Sequence, residues 1–74
     1  MSFEELFCEI MEQEDLPQNF ETLEIGDISE WDSLANMNFL MALEKKFSVR
    51  FSFDDMAELN SITMIRNKLT ILLK

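Results

Sequence analysis

The chain has no histidine, no tyrosine, one cysteine, one glycine and one proline in 74 residues. Each shortage closes off a class of protein. Without histidine, the usual general base and the commonest metal ligand are both missing. Cys8 alone forms neither an internal disulfide nor a thiolate zinc site, so no covalent or metal staple is expected to hold the fold. A single glycine and a single proline are too few for a loop-rich all-β fold, which leaves helices favoured. No apolar run approaches the roughly 18 residues that a membrane-spanning helix needs. A lone thiol and no signal-peptide pattern fit a reducing cytoplasm.

Basic residues are scarce too, and their placement matters more than their number. The chain carries 15 acids against 6 bases, a net charge of −9. All six bases lie at Lys45 and beyond, so the first 44 residues are purely acidic. Such a chain repels nucleic-acid phosphates and anionic membranes, and neither is an expected partner. A basic protein surface complements the acidic stretch, although an acidic surface also serves solubility alone.

What is present is 47% apolar and largely at helical spacing. Ser2 and Glu5 read as a capping box, followed by the stripe Phe3, Leu6, Phe7, Ile10 and Met11. A first helix is expected from there to about Glu14. Residues 15–32 show no clean period. Pro17, Asn19 and Gly26 interrupt them, and Leu16, Phe20, Leu23, Ile25, Ile28 and Trp31 are spread through them as apolar anchors. Eighteen residues is long for a loop, and six large apolar side chains argue against disorder. An ordered loop laid across the helices is expected, with a short helical turn near Phe20–Leu23.

Asp32 is a good N-cap for a second helix, Ser33 to about Phe47. That helix is apolar on most of its circumference, so it is either central or meets another molecule. Ser48–Phe51 reads as an extended connector. Ser52 with Asp55 caps a brief third helix to Glu58, and Asn60 or Ser61 opens a last helix to about Leu73 with the stripe Ile62, Ile65, Leu69, Leu72 and Leu73. The expected fold is all-α: one domain over residues 1–74, a small four-helix bundle whose third helix is short, with a long ordered loop between helices 1 and 2.

Chemistry within the chain itself is poorly supported. Ser33 has no histidine or well-spaced lysine to activate it. A carboxylate acid–base pair needs a cleft that roughly 60% burial in so short a chain hardly allows. The acidic loop 27–32 lacks the central glycine and the twelfth-position glutamate of an EF-hand, so no metal site is expected. A phosphate on Ser33, by contrast, would sit where a helix start offers free N–H groups and a favourable dipole. On spacing alone Ser33 is also an ordinary helix-start residue.

The wider run from Asp32 to Phe51, DSLANMNFLMALEKKFSVRF, resembles the acyl carrier protein family. That family shows Asp-Ser-Leu, then an amphipathic helix ending in Leu-Glu, two charged residues and Phe, then an extended apolar tripeptide. The preceding helix, the long loop, the short helix after Phe51 and the Asn60-Ser61-Ile62 entry to the last helix match in order and length. The resemblance implies a non-enzymatic carrier in which a phosphopantetheinyl transferase attaches 4′-phosphopantetheine from coenzyme A to Ser33. Acyl or aminoacyl groups would ride on that arm as thioesters, loaded by a ligase and passed to acyl-using enzymes by a monomeric cytoplasmic protein. It assigns Asp32, Leu34, Met37 and Met41 to the partner-facing surface, with Asp32 also capping the helix and the methionines also plausible as core filler. Phe39, Leu43 and Phe47 fall on the opposite, core face, and Cys8 reads as a small buried residue.

The resemblance has gaps. Carriers of fatty acid synthesis usually place acids where this chain has Ala35 and Asn38, and an acidic pair where it has Lys45 and Lys46. Trp31 stands where a smaller residue is usual. These departures imply a specialised carrier serving a dedicated pathway. The alternative is an acidic helical adaptor that binds partners without being modified.

Overall fold

A computed structural model describes residues 2–74. Four helices are present among them: α1 (Phe3–Ile10), α2 (Ser33–Phe47), α3 (Phe53–Glu58) and α4 (Ile62–Leu72), with a 3-10 turn at Phe20–Thr22 and no strand. The helix starts follow from hydroxyl and carboxylate caps. Ser2 Oγ accepts the Glu5 N–H at 3.1 Å while Glu5 Oε1 accepts the Ser2 N–H at 3.2 Å. Ser52 and Asp55 repeat the reciprocal pair ahead of α3, and Ser61 caps α4 through the Met64 N–H. Each such cap satisfies backbone donors that a helix start leaves free.

The helix stops were harder to see in the sequence. The first helix ends at Ile10, one turn before the expected Glu14. Glu12 takes a left-handed φ of 55°, and the Gln13 N–H bonds back to the Cys8 carbonyl at 2.9 Å. This is a Schellman closure built without its usual glycine. Ser48 does the same at the end of α2, with φ 55° and the Val49 N–H on the Glu44 carbonyl at 3.1 Å. The last helix stops at Leu72; Leu73 is exposed rather than part of the buried stripe.

One cluster of buried side chains joins all the layers. Phe7 is its centre, packing edge-to-face against Phe20, Trp31 and Phe39 at centroid distances of 5.0, 5.3 and 5.4 Å. Edge-to-face pairs of this kind add about 0.5–1.5 kcal/mol each beyond area burial. Leu40, Leu43, Ile62 and Ile65 fill the remainder from α2 and α4. The radius of gyration, 11.3 Å, matches the roughly 11 Å expected for a compact chain of this length.

The long loop is stitched into this core. Phe20, Leu23 and Trp31 are buried, whereas Leu16 is exposed and anchors nothing. Leu23–Ile25 pairs with the start of α4: the Ile62 N–H bonds to the Leu23 carbonyl at 3.0 Å and the Ile25 N–H to the Asn60 carbonyl at 2.7 Å. Arg66 on α4 adds a second tie. Its guanidinium lies 4.5 Å from the Phe3 ring centroid, meets Glu21 through two nitrogens and reaches Glu4 at 3.1 Å. A half-exposed ion pair contributes little alone, but the fork geometry and the aromatic face fix three segments together.

Candidate functional site at the start of the second helix

The site is built on the turn from loop to α2. Trp31 is fully buried, and this anchors the last loop residue before the helix. Asp32 follows in extended conformation, and its Oδ1 accepts the Ala35 N–H at 2.9 Å. Ser33 then opens the helix with its side chain in solvent. Among the described residues, neither the Ser33 hydroxyl nor the N–H groups of Ser33 and Leu34 have a protein partner. A free hydroxyl beside free N–H donors at the positive end of a 15-residue helix suits a phosphate group.

Beneath this exposed start lies a polar bridge that the sequence did not disclose. Asn36 is buried one turn into α2. Its Oδ1 accepts the Trp31 indole N–H at 3.0 Å, and its Nδ2 donates to the Leu59 carbonyl at 2.8 Å. Loop, α2 and the end of α3 are thereby held to one another. Leaving either outer partner unpaired in the interior would cost about 1–3 kcal/mol. A tryptophan followed five residues later by an asparagine on the inward face of a helix was the available signal.

The outer face of α2 is apolar and open. Leu34 is 70% exposed, Met37 46% and Met41 48%, so the two methionines are surface residues and not core filler. Phe39 and Leu43 are buried as expected, while Phe47 is only half-buried. Met37 and Met41 line a hollow of about 340 Å³ with Phe53, Met56 and Ala57 of α3. A second hollow of about 340 Å³ adjoins it, sharing Met37, Met56 and Ala57 and reaching Ile25, Ser33, Asn36 and Asn60. The two hollows share a wall and lead in succession from Ser33 along the α2–α3 boundary, while Leu34 stands outside both. The α3 residues were not anticipated. Their signal was the Ser52–Asp55 capping box, which sets a register placing Phe53, Met56 and Ala57 on one face.

Charge around this face is polarised. Lys45, Lys46 and Arg50 are exposed at the far end of α2 and make no ion pair among the described residues, whereas Arg66 and Lys68 are paired. The acids of the preceding loop are partly spent locally: Asp27 Oδ2 accepts the Glu24 N–H at 2.9 Å, and Asp32 caps α2.

Cys8 lies elsewhere, in a hollow of about 390 Å³ with Glu4, Glu5, Glu14, Asp15 and Leu16. It is half-buried rather than buried. Burial pushes its thiol pKa up, and the Asp15 carboxylate adds to the shift. A thiol shifted in that direction is a poor nucleophile near neutrality.

No helix among the described residues is long and apolar enough to cross a membrane. Comparison with family models, curated proteins and solved structures finds no match to this chain.

Proposed function

We propose that this protein is a carrier of acyl or aminoacyl groups, modified at Ser33 with 4′-phosphopantetheine from coenzyme A. The observation that carries the reading is the state of Ser33: an exposed, unpartnered hydroxyl directly after Asp32 at the start of α2. The fit is chemical as well as positional. The free N–H groups of Ser33 and Leu34 and the helix dipole favour the negative charge of a phosphodiester there.

In the modification, Ser33 Oγ passes its proton to a base of the transferase and bonds to the phosphorus that carries the arm. The bond from that phosphorus to the nucleotide's phosphate oxygen breaks, and the nucleotide leaves with the electron pair. When bound, the arm supplies a terminal thiol able to hold an acyl group as a thioester. This division of labour suits a chain with no histidine and a protonated Cys8. The protein itself is not an enzyme. Asp32 holds the helix start and faces the transferase, and Leu34, Met37 and Met41 meet the loading and acyl-using enzymes. Methionine is flexible and polarizable, which suits a surface shared by several partners.

The absence of acids at Ala35 and Asn38 and the free bases Lys45, Lys46 and Arg50 support a specialised carrier over one serving general fatty acid synthesis. A second reading, an unmodified adaptor, draws on the same exposed apolar face. Incubation with coenzyme A and a broad-specificity phosphopantetheinyl transferase, read by intact mass, separates the two. A chain that gains no mass is left with the adaptor reading.

A further inference from the structure

An apolar chain tethered at Ser33 has two places in this fold to settle, one open and one already packed, and Asn36 lies beside both. One is the outer groove of Met37, Met41, Phe53, Met56 and Ala57. The other is the bundle interior, filled by Leu40, Leu43 and Ile62. Asn36 lines the hollow next to Ser33, and behind it both of its amide atoms are engaged, by Trp31 and by the Leu59 carbonyl. Entry to the interior would break this bridge and strand an indole N–H and a carbonyl away from water. Entry to the outer groove breaks nothing and covers the exposed methionines and Phe53, which is 91% exposed.

We propose that Asn36 is a lock that keeps the cargo of Ser33 out of the bundle core, so that the carrier holds an uncharged, apolar acyl chain along its surface. This rests on the carrier reading above and adds to it the class of cargo and the residue that positions it. From Ser33 to Met41 the helix rises roughly 12 Å, so an arm anchored at Ser33 and folded back along α2 brings a linear chain over this face. The far hollow is lined by five apolar residues, which offers an aminoacyl ammonium group no counter-charge. The cargo stays within reach of a partner enzyme without any opening of the fold.

The test uses the full chain with its Ile, Leu and Met methyl groups and its single indole N–H isotopically labelled. A phosphopantetheinyl transferase loads Ser33 from octanoyl coenzyme A or from glycyl coenzyme A, and intact mass verifies each product before spectra are taken. With octanoyl, the Met37, Met41 and Met56 methyl signals shift, while Leu40, Leu43, Ile62 and the Trp31 indole N–H stay in place. With glycyl, none of the three methionines moves; both loaded forms are compared with the chain carrying the unloaded arm. The variant Trp31→Phe removes one arm of the lock, and octanoyl then shifts Leu40 and Leu43.

Shifts of the interior methyls or the indole N–H in the octanoyl-loaded wild type would overturn the lock while leaving the carrier reading intact. So would a Trp31→Phe protein whose interior stays silent. Methionine shifts that follow protein concentration with no cargo attached would put a second copy in the groove and overturn the assignment. Failure to gain mass at all would overturn both readings together.

Discussion

The indole N–H of Trp31 donates to Asn36 Oδ1 at 3.0 Å, and Asn36 is the one buried polar side chain among the described residues. Through its other amide atom Asn36 also holds the Leu59 carbonyl, so a single side chain joins the loop, α2 and the end of α3. Replacing it by alanine strands both partners. Asn36→Ala is expected to lose about 2–4 kcal/mol, a large share of the roughly 4–11 kcal/mol available to a chain of this length. Trp31→Phe keeps one aromatic ring but strands the Asn36 oxygen and leaves a void where the rest of the buried indole packed, so its loss is expected at about 2–4 kcal/mol. Denaturant midpoints measure both. Values within 0.5 kcal/mol of wild type would show that the bridge does not hold the fold.

The left-handed residues at the helix stops give a prediction of opposite sign. Ser48 carries φ 55° with no glycine to relieve it. Ser48→Gly is expected to stabilise by about 0.5–1 kcal/mol, raising Tm by roughly 2–8 °C for a domain of this size. Thermal unfolding followed by circular dichroism checks it, and a lowered Tm would contradict it.

These two sites mark where the sequence was legible and where it was not. Helix starts were readable because Ser2, Asp32, Ser52 and Ser61 act through their own side chains, on donors three residues away. The stop after Ile10 was not, because Glu12 has no chemical preference for left-handed backbone; the surrounding packing imposes it. The site divides in the same way. Ser33, Met37 and Met41 were singled out by the resemblance carried by the run from Asp32 to Phe51, and the structure places them along two adjoining hollows. The opposite wall of the groove lies 12 or more positions along the chain from Met37 and Met41, and the Asn36 bridge reaches Leu59, 23 positions on. One-dimensional periodicity carries no information about such contacts.

Acid dependence follows from Asp55. The Ser52 backbone N–H, the Ser52 hydroxyl and Lys68 3.5 Å away hold its pKa below the usual 3.8. A carboxylate with a folded pKa below its unfolded one adds stability above the unfolded pKa and loses it as pH falls through the folded value. Asp55→Asn keeps the cap geometry and removes the charge. It is expected to be less stable than wild type by about 0.3–1 kcal/mol near neutral pH, with the gap closing as pH drops below 3.8. Comparing the two proteins cancels the self-repulsion that a net charge of −9 imposes on both. A gap independent of pH would contradict this assignment.

The partner surface gives a functional prediction. Ala35 and Asn38 leave the first turns of α2 without acids, so enzymes that dock through basic patches lose their contacts here. The loaded protein is expected to be a poor substrate for fatty-acid elongation enzymes, and Ala35→Asp with Asn38→Glu is expected to improve it at low salt. Efficient elongation by the wild-type chain, measured by product release, would contradict the specialised reading.

The central claim is modification at Ser33, and site mapping tests it most directly. After incubation with coenzyme A and a broad-specificity transferase, fragment mass spectrometry should find one phosphopantetheine per chain, on the peptide containing Ser33, and none on Ser33→Ala. A wild-type chain that stays unmodified, or a Ser33→Ala chain that still gains the mass, would contradict the claim.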